Sequence, residues 1–270
     1  MESGKCIKTL GDHPDSVTCI KNVLDDKLIS GDVSGLIKIW KIETGECLRA
    51  IDAHTDSVAT ILLISNDIFA TCSYDETIKL FDLNTYECIR TFIEHEGTVY
   101  CIDKLLNDRI VSCSEDKTIR IWDLNSGECL KILRGHLKTV SSIRVFSNDK
   151  IISGSHSDIR VWDIESGQSL QRLNVGHTNF IGIIVQISNE RIASCDDDGK
   201  IVIWNINDGV TLKTIDAHSN IISDLSKLSS NKIISCSEDK TIKVWDIDKG
   251  ICLKTLKGHT DAIGSIDLFS

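Results

Sequence analysis

Short runs in which apolar and polar residues alternate recur along the whole chain. Ile37-Lys38-Ile39-Trp40, Ile119-Arg120-Ile121-Trp122 and Ile242-Lys243-Val244-Trp245 are three of them, all rich in β-branched side chains. A period of two puts successive side chains on opposite faces of an extended strand, and no segment carries the 3.6-residue period of an amphipathic helix. Asn66-Asp67, Asn107-Asp108 and Asn148-Asp149 stand between such runs. These residue types tolerate positive φ, so tight hairpins are expected there. Further turns are expected at Thr44-Gly45, Ser126-Gly127, Ser166-Gly167 and Lys249-Gly250.

The strands fall into a repeat. His13, His54, His95, His136, His177, His218 and His259 lie 41 residues apart, and Trp40, Phe81, Trp122, Trp204 and Trp245 follow 27 residues after their histidines. Trp162 follows after 26. Each unit reads as four short antiparallel strands. One sheet of that size cannot bury both faces by itself, whereas radial packing of like sheets buries both. An all-β propeller in a single domain, 1–270, is therefore expected. Its complete units lie at about 16–51, 57–92, 98–133, 139–173, 180–215 and 221–256. Residues 5–10 match the outermost strand of a unit and 262–269 match an innermost one. The expectation is a seven-bladed plan with six complete blades and an incomplete seventh. A fragment, an open ring, or strands supplied by another chain would each account for the missing middle; a six-bladed ring with two spare strands is the less economical alternative, and a seven-bladed plan in a truncated chain is the preferred reading. Unpaired strand edges would then invite pairing.

The chain resembles the WD40 family across essentially its whole length. Gly135-His136 and Gly258-His259, with the variants Ala53-His54 and Ala217-His218, carry one end of the motif; Trp122-Asp123, Trp162-Asp163 and Trp245-Asp246 carry the other. The resemblance implies that the histidines are structural. Each would share hydrogen bonds with a Ser or Thr of the second strand, an Asp of the following turn and the Trp indole. The complete sets would be His95-Ser112-Asp116-Trp122, His177-Ser194-Asp198-Trp204 and His218-Ser235-Asp239-Trp245. Such a network stabilises only when every member is paired. Three units depart from the pattern: Ser34 replaces the turn Asp in the first, Phe81 lacks an N–H in the second, and the fourth has a shortened turn with Asp158 in it. Those blades should be softer.

Composition narrows the function classes. The net charge is −10, with 41% hydrophobic and 26% charged residues. That balance disfavours a nucleic-acid binder, which needs Lys and Arg against phosphate, and suits a basic protein or peptide. No apolar run approaches the roughly 20 residues that span a bilayer, so no membrane contact is expected. The 11 cysteines sit at repeated strand positions without a C-x-x-C pair. They read as small buried residues of a reducing compartment, with a cytoplasmic location expected and a nuclear one as the alternative. No metal or cofactor is expected. Catalysis would need a non-repeating cluster of His, Asp, Glu or Cys, and the polar residues here recur by unit. No catalytic residue is assigned, and the chain is not expected to be an enzyme.

The family resemblance also implies that partners dock on the narrower face of the ring, at positions three and five residues after each ladder histidine and one before the turn Asp. Carried onto this chain, those positions offer Tyr74, Tyr100, Phe180 and Ile221 as apolar anchors, with Glu115, Asp197 and Glu238 among them. Aromatic groups beside carboxylates suit a peptide bearing Lys or Arg. F-box/WD-repeat receptors, which the chain resembles in phrases such as Gly127-Glu128-Cys129-Leu130, often read phosphorylated segments with arginines on this face. None of the positions here is Arg or Lys, so phosphate recognition loses its physical basis. The expected function is a non-catalytic protein–protein interaction scaffold. The alternatives are a substrate-recognition or oligomerising domain of a larger protein, such as a ubiquitin-ligase adaptor, and self-association through the incomplete blade.

Overall fold

A computed structural model describes residues 6–23, 26–156, 158–173, 177 and 179–268. Twenty-four strands form six separate sheets, each of four strands paired antiparallel in sequence order. Blades one to six span 17–52, 58–92, 99–134, 140–173, 181–216 and 222–256. In blade three the strands are Val99–Leu105, Arg109–Ser114, Thr118–Asp123 and Cys129–Arg134. The first strands of successive blades, from one to six, meet one another and line the centre of the ring.

Burial follows from that arrangement. The two middle strands of blade three are buried along nearly their whole length because both faces lie against neighbouring blades, whereas the outermost strand alternates and turns Leu133 inward. Five apolar clusters hold successive blades together, each built from the facing sides of two sheets. Between blades three and four, Val111, Cys113, Ile119 and Ile121 pack on Val140, Ile143, Ile151 and Trp162. Fully burying side chains of this size contributes roughly 1.5–3 kcal/mol each, so every interblade seam is a substantial share of the fold's stability.

In all six blades the register between the third and fourth strands shifts at the Trp position, as at Ile121/Trp122, or Leu80/Phe81 in blade two. A bulge of this kind re-aims a side chain. Of the three expected Asn-Asp hairpins, only Asn107 and Asp108 take positive φ, at 58° and 51°. The connections over 64–67 and 146–149 are one residue longer than the one over 106–108, which lets Asn66-Asp67 and Asn148-Asp149 turn without the left-handed conformation.

The expectation of an incomplete seventh blade is corrected. The described residues form six blades, and neither 6–10 nor 262–268 is a strand. A strand is held by its ladder, and among the described residues no ladder pairs either segment. Lys5 and Phe269, which belonged to the expected closing strands, lie outside the described residues.

Candidate functional site

Each blade carries a buried polar network at the entry to its first strand. In blade three, His95 Nδ1 lies 2.7 Å from Asp116 Oδ2 and Nε2 lies 2.7 Å from Ser112 Oγ, which also accepts the Trp122 indole N–H at 2.8 Å. Blade six repeats the geometry: His218 lies 2.8 Å from Asp239 and 2.7 Å from Ser235, and Trp245 donates to Ser235 at 2.9 Å. The proton order follows from the donors. The indole can only donate, so the serine accepts from it and gives its own proton to Nε2. The neutral imidazole then carries its proton on Nδ1 and donates it to the carboxylate. No hydrogen-bonding group in the chain of four is left over.

Two assignments from the sequence are corrected. In blade five the carboxylate bonded to His177 Nδ1 is Asp196, at 2.7 Å, not Asp198; Ser194 and Trp204 take their expected places. In blade one, Ser34 does not leave a gap. Asp32, two residues earlier, meets His13 Nδ1 at 2.7 Å, with Ser30 and Trp40 completing the set. Both blades use the same device. The aspartate sits at the end of the second strand, and a glycine with positive φ follows three residues on, Gly35 at 88° and Gly199 at 74°. A Cβ on either would fall 2.2 or 2.4 Å from the carbonyl oxygen of the next blade's histidine, His54 or His218. Blades two, three and six place Glu76, Lys117 and Lys240 at that position and keep the carboxylate in the turn.

Blades two and four vary differently. His54 is held by Asp75 at 2.8 Å and Thr71 at 2.8 Å, and Phe81 stacks on Phe69 at 5.1 Å instead of donating a hydrogen bond. In blade four the shortened turn leaves His136 and Asp158 at 3.3 Å, and Arg160 and Arg172 each donate to Asp158 at 2.9 Å. The sequence reading missed a cation two residues before the aromatic position in every blade but the fifth, where Val202 stands. Lys79 donates to the Ala53 carbonyl and Lys243 to that of Ala217, both at 2.6 Å, and Lys38, Arg120, Arg160 and Lys243 lie over the indoles of their own blades.

The electrostatics of the network follow from its burial and its hydrogen bonds. Burial works to raise Asp239, but hydrogen bonds from Thr241 and His218 outweigh it and hold the carboxyl down to about 2. Asp75, Asp116 and Asp158 are lowered for the same balance of reasons, with burial opposed by bonds from the ring and from a neighbouring Thr or Arg. His136 and His218 are pushed below the ordinary imidazole value by burial, against the pull of Asp158 and Asp239. Among the described residues no group of His, Cys, Asp and Glu is arranged to hold a metal.

The expected docking residues gather at the mouth of the central channel, where they edge a cavity of about 980 Å³. Tyr74 meets Tyr100 edge-on at 5.5 Å, and Tyr100 meets Phe180 edge-on at 6.2 Å across the ring. Ile221, Asp197 and Glu238 line the same cavity. Glu115 is exposed beside it and is not one of the lining groups. Burial, with Tyr74 and Glu115 close by, pushes the Tyr100 hydroxyl up to about 12. Asp197 is raised by burial and by the carboxylates of Asp196, Asp198 and Glu238. The arrangement is an apolar, aromatic rim beside the carboxylates of Asp197 and Glu238.

A search of curated protein sequences gives no match. The family model for the WD domain, G-beta repeat, matches six times, over residues 4–41, 45–82, 86–123, 127–163, 167–205 and 209–246. With a match that covers most of its length and a six-bladed propeller built on the His-Ser-Asp-Trp network, the chain belongs to the WD40 family.

Proposed function

We propose that this propeller is a non-catalytic protein-binding platform, and that its channel mouth takes an extended peptide bearing Lys or Arg. WD40 propellers generally mediate protein–protein interaction. The observation that carries the reading is the continuous aromatic contact from Tyr74 through Tyr100 to Phe180, with Asp197 and Glu238 on the same cavity. Half-buried aromatic side chains bury much area at little conformational cost, and a cationic side chain gains from both the rings and the carboxylates. Asp197 and its carboxylate neighbours repel one another, and an incoming Lys or Arg relieves that repulsion. The net charge of −10 favours encounter with a basic partner. Eleven free thiols fit a reducing setting such as the cytoplasm.

A displayed library of random peptides tests the reading, panned on the chain and on a Tyr74→Ala, Tyr100→Ala, Phe180→Ala variant of matching thermal stability. The expected outcome is a family of selected peptides with Lys or Arg beside an apolar residue, bound by the parent and lost by the variant. Selected peptides that are acidic, or that bind both proteins equally, would overturn it.

A further inference from the structure

The first and second strands pair in the same register in all six blades, and one cross-strand position of that pairing is rich in sulfur. Cys72, Cys113, Cys195 and Cys236 take it on the second strands of blades two, three, five and six, opposite Thr60, Cys101, Ile183 and Asp224. In blade one Cys19 faces Gly31, and in blade four Ser142 faces Gly154. Of the six blades, blade three alone sets two cysteines against each other. Residues directly opposite in an antiparallel pair carry their side chains on one face, with Cα atoms about 4.5–5.5 Å apart, inside the roughly 4.4–6.8 Å that a disulfide spans. Cys101 and Cys113 both lie in the apolar seam between blades three and four, and both are free thiols.

The surroundings of the two sulfurs differ. Cys101 edges the central channel and shows 8% of its surface there, whereas Cys113 is wholly enclosed. Arg144, from the first strand of blade four, donates Nη1 to Cys101 Sγ at 3.4 Å and to the Ile143 carbonyl at 3.1 Å. The carboxylates of Asp103 and Asp224 act on the same guanidinium from further off. The guanidinium thus stands against one sulfur of the pair, placed to bond the anion left when its proton departs, and the anion is the form in which a thiol attacks. Burial pushes the Cys113 thiol well above its ordinary value, and the Cys101 sulfur beside it adds to the effect. With so little surface shown, Cys101 is open to a peroxide, which is little larger than water, and closed to a bulkier alkylating reagent.

We propose that Cys101 and Cys113 are a thiol pair that hydrogen peroxide entering the channel converts reversibly to a cross-strand disulfide, with Arg144 assisting at Cys101. The Cys101 thiolate attacks one peroxide oxygen. An S–O bond forms, the O–O bond breaks, and the departing hydroxide takes up the thiol proton and leaves as water. Cys101 is then a sulfenic acid, its sulfur oxidised by two electrons and the peroxide reduced by them. The Cys113 sulfur attacks that sulfur. The S–S bond forms, the S–O bond breaks, and a second water carries away the Cys113 proton. One peroxide and two thiols thereby give one disulfide and two waters. A dithiol returns the pair to thiols by exchange. The bond ties the first strand of blade three to the second, next to Tyr100 in the chain, and does not depend on the peptide reading above.

The full 270-residue chain, native and dilute, is treated with an equimolar amount of hydrogen peroxide. Remaining thiols are alkylated under denaturation, and the digest is read by mass spectrometry. The expected product is the Cys101 peptide joined to the Cys113 peptide, lost again on treatment with dithiothreitol. Two variants follow residues that other blades carry: Cys101→Ser takes the Ser142 of blade four, and Cys113→Ala moves toward the glycine of blades one and four. Cys113→Ala should give no linked peptide and leave a Cys101 sulfenic acid, trapped by dimedone added with the denaturant. Cys101→Ser should leave Cys113 reduced. Arg144→Gln, compared at matched thermal stability, should form the bond about tenfold more slowly, through loss of one charge-assisted hydrogen bond. A native chain whose exposed Cys6, Cys88 and Cys252 oxidise while Cys101 and Cys113 stay free overturns the proposal. A bond from Cys101 to Cys72, which lies in the seam on the other side of blade three, overturns it too, as does a link that forms only on unfolding. An unchanged rate in Arg144→Gln overturns the guanidinium's part in it.

Discussion

The carboxylate that holds His177 is Asp196, whose Oδ2 lies 2.7 Å from the ring Nδ1, and not the turn residue two positions later. Both groups are almost wholly buried, and the other Asp196 oxygen accepts the backbone amides of Asp198 and Lys200 at 3.2 and 3.0 Å. Asp196→Ala leaves the Nδ1–H of His177 and two turn amides unpaired, a loss of about 1–3 kcal/mol for a buried orphan. Asp198, exposed on the turn and reached by the Asn179 side-chain amide at 3.5 Å, should lose less on replacement by alanine than Asp196 does. Denaturant unfolding of the two variants checks the order, and equal losses would return the role to Asp198.

The same pair shows where the chain could be read from its letters and where it could not. The 41-residue ladder announced the blades because every one of them solves the same burial problem with the same residues. The position of the carboxylate did not follow, because two backbone solutions deliver an aspartate to one ring nitrogen. The distinguishing signal was present in Asp32-Val33-Ser34-Gly35 and Asp196-Asp197-Asp198-Gly199, set against Ser114-Glu115-Asp116-Lys117. Glycine marks the version in which the turn backbone is pressed against the next blade's histidine. Blade one therefore has a whole network, where an Asp-to-Ser change had suggested a soft one. The expected docking residues could be placed by register, but Tyr100 meeting Phe180 depends on how blades three and five are set around the channel, which no single repeat encodes.

Phe81 looks like a lost tryptophan, yet restoring it should not help. In register with it stands Phe69, where the other blades pair Leu28, Ile110, Ile151, Ile192 or Ile233 with their Trp. The two rings stack at 5.1 Å, so the larger residue has moved from one strand to its neighbour. Phe81→Trp alone adds volume to a full core and should destabilise by about 1–3 kcal/mol. Phe69→Ile alone leaves a cavity and should also destabilise. The double variant should recover most of both losses and gain the indole bond to Thr71. Melting temperatures of the three variants form a double-mutant cycle, and strictly additive losses would refute the exchange.

Thiol reactivity should sort the cysteines by strand position. Cys6, Cys88 and Cys252 are exposed, Cys47 and Cys129 are half-buried, and Cys19, Cys72, Cys101, Cys113, Cys195 and Cys236 are buried. The thiolate is the nucleophile, and burial pushes the Cys19 thiol up to about 12 and those of Cys72, Cys113 and Cys195 well above the ordinary value. Iodoacetamide at neutral pH should modify Cys6, Cys88 and Cys252 first and reach the buried six only on unfolding. Peptide mapping by mass spectrometry reads the order. Early labelling of Cys113 or Cys195 in the native chain would contradict the interblade packing.

Acid should unfold the propeller in two stages, both in the same direction. His136 and His218 titrate below 6.5 in the fold because burial disfavours the imidazolium. Below that value the unfolded chain binds more protons at these rings than the native one, so the stability they contribute is complete above about pH 6.5 and falls as the pH drops beneath it. The carboxyls of Asp75, Asp116, Asp158, Asp196 and Asp239 are held below 3.8. Their contribution is complete above 3.8 and is lost as the pH falls through their lower native values. The melting temperature should decline gently between about pH 6.5 and 5 and steeply below about pH 4. A His136→Asn, His218→Asn variant should start from a lower melting temperature, flatten the first stage and retain the second. A profile level from pH 7 down to 5 in the parent would contradict the neutral, buried state of these two rings.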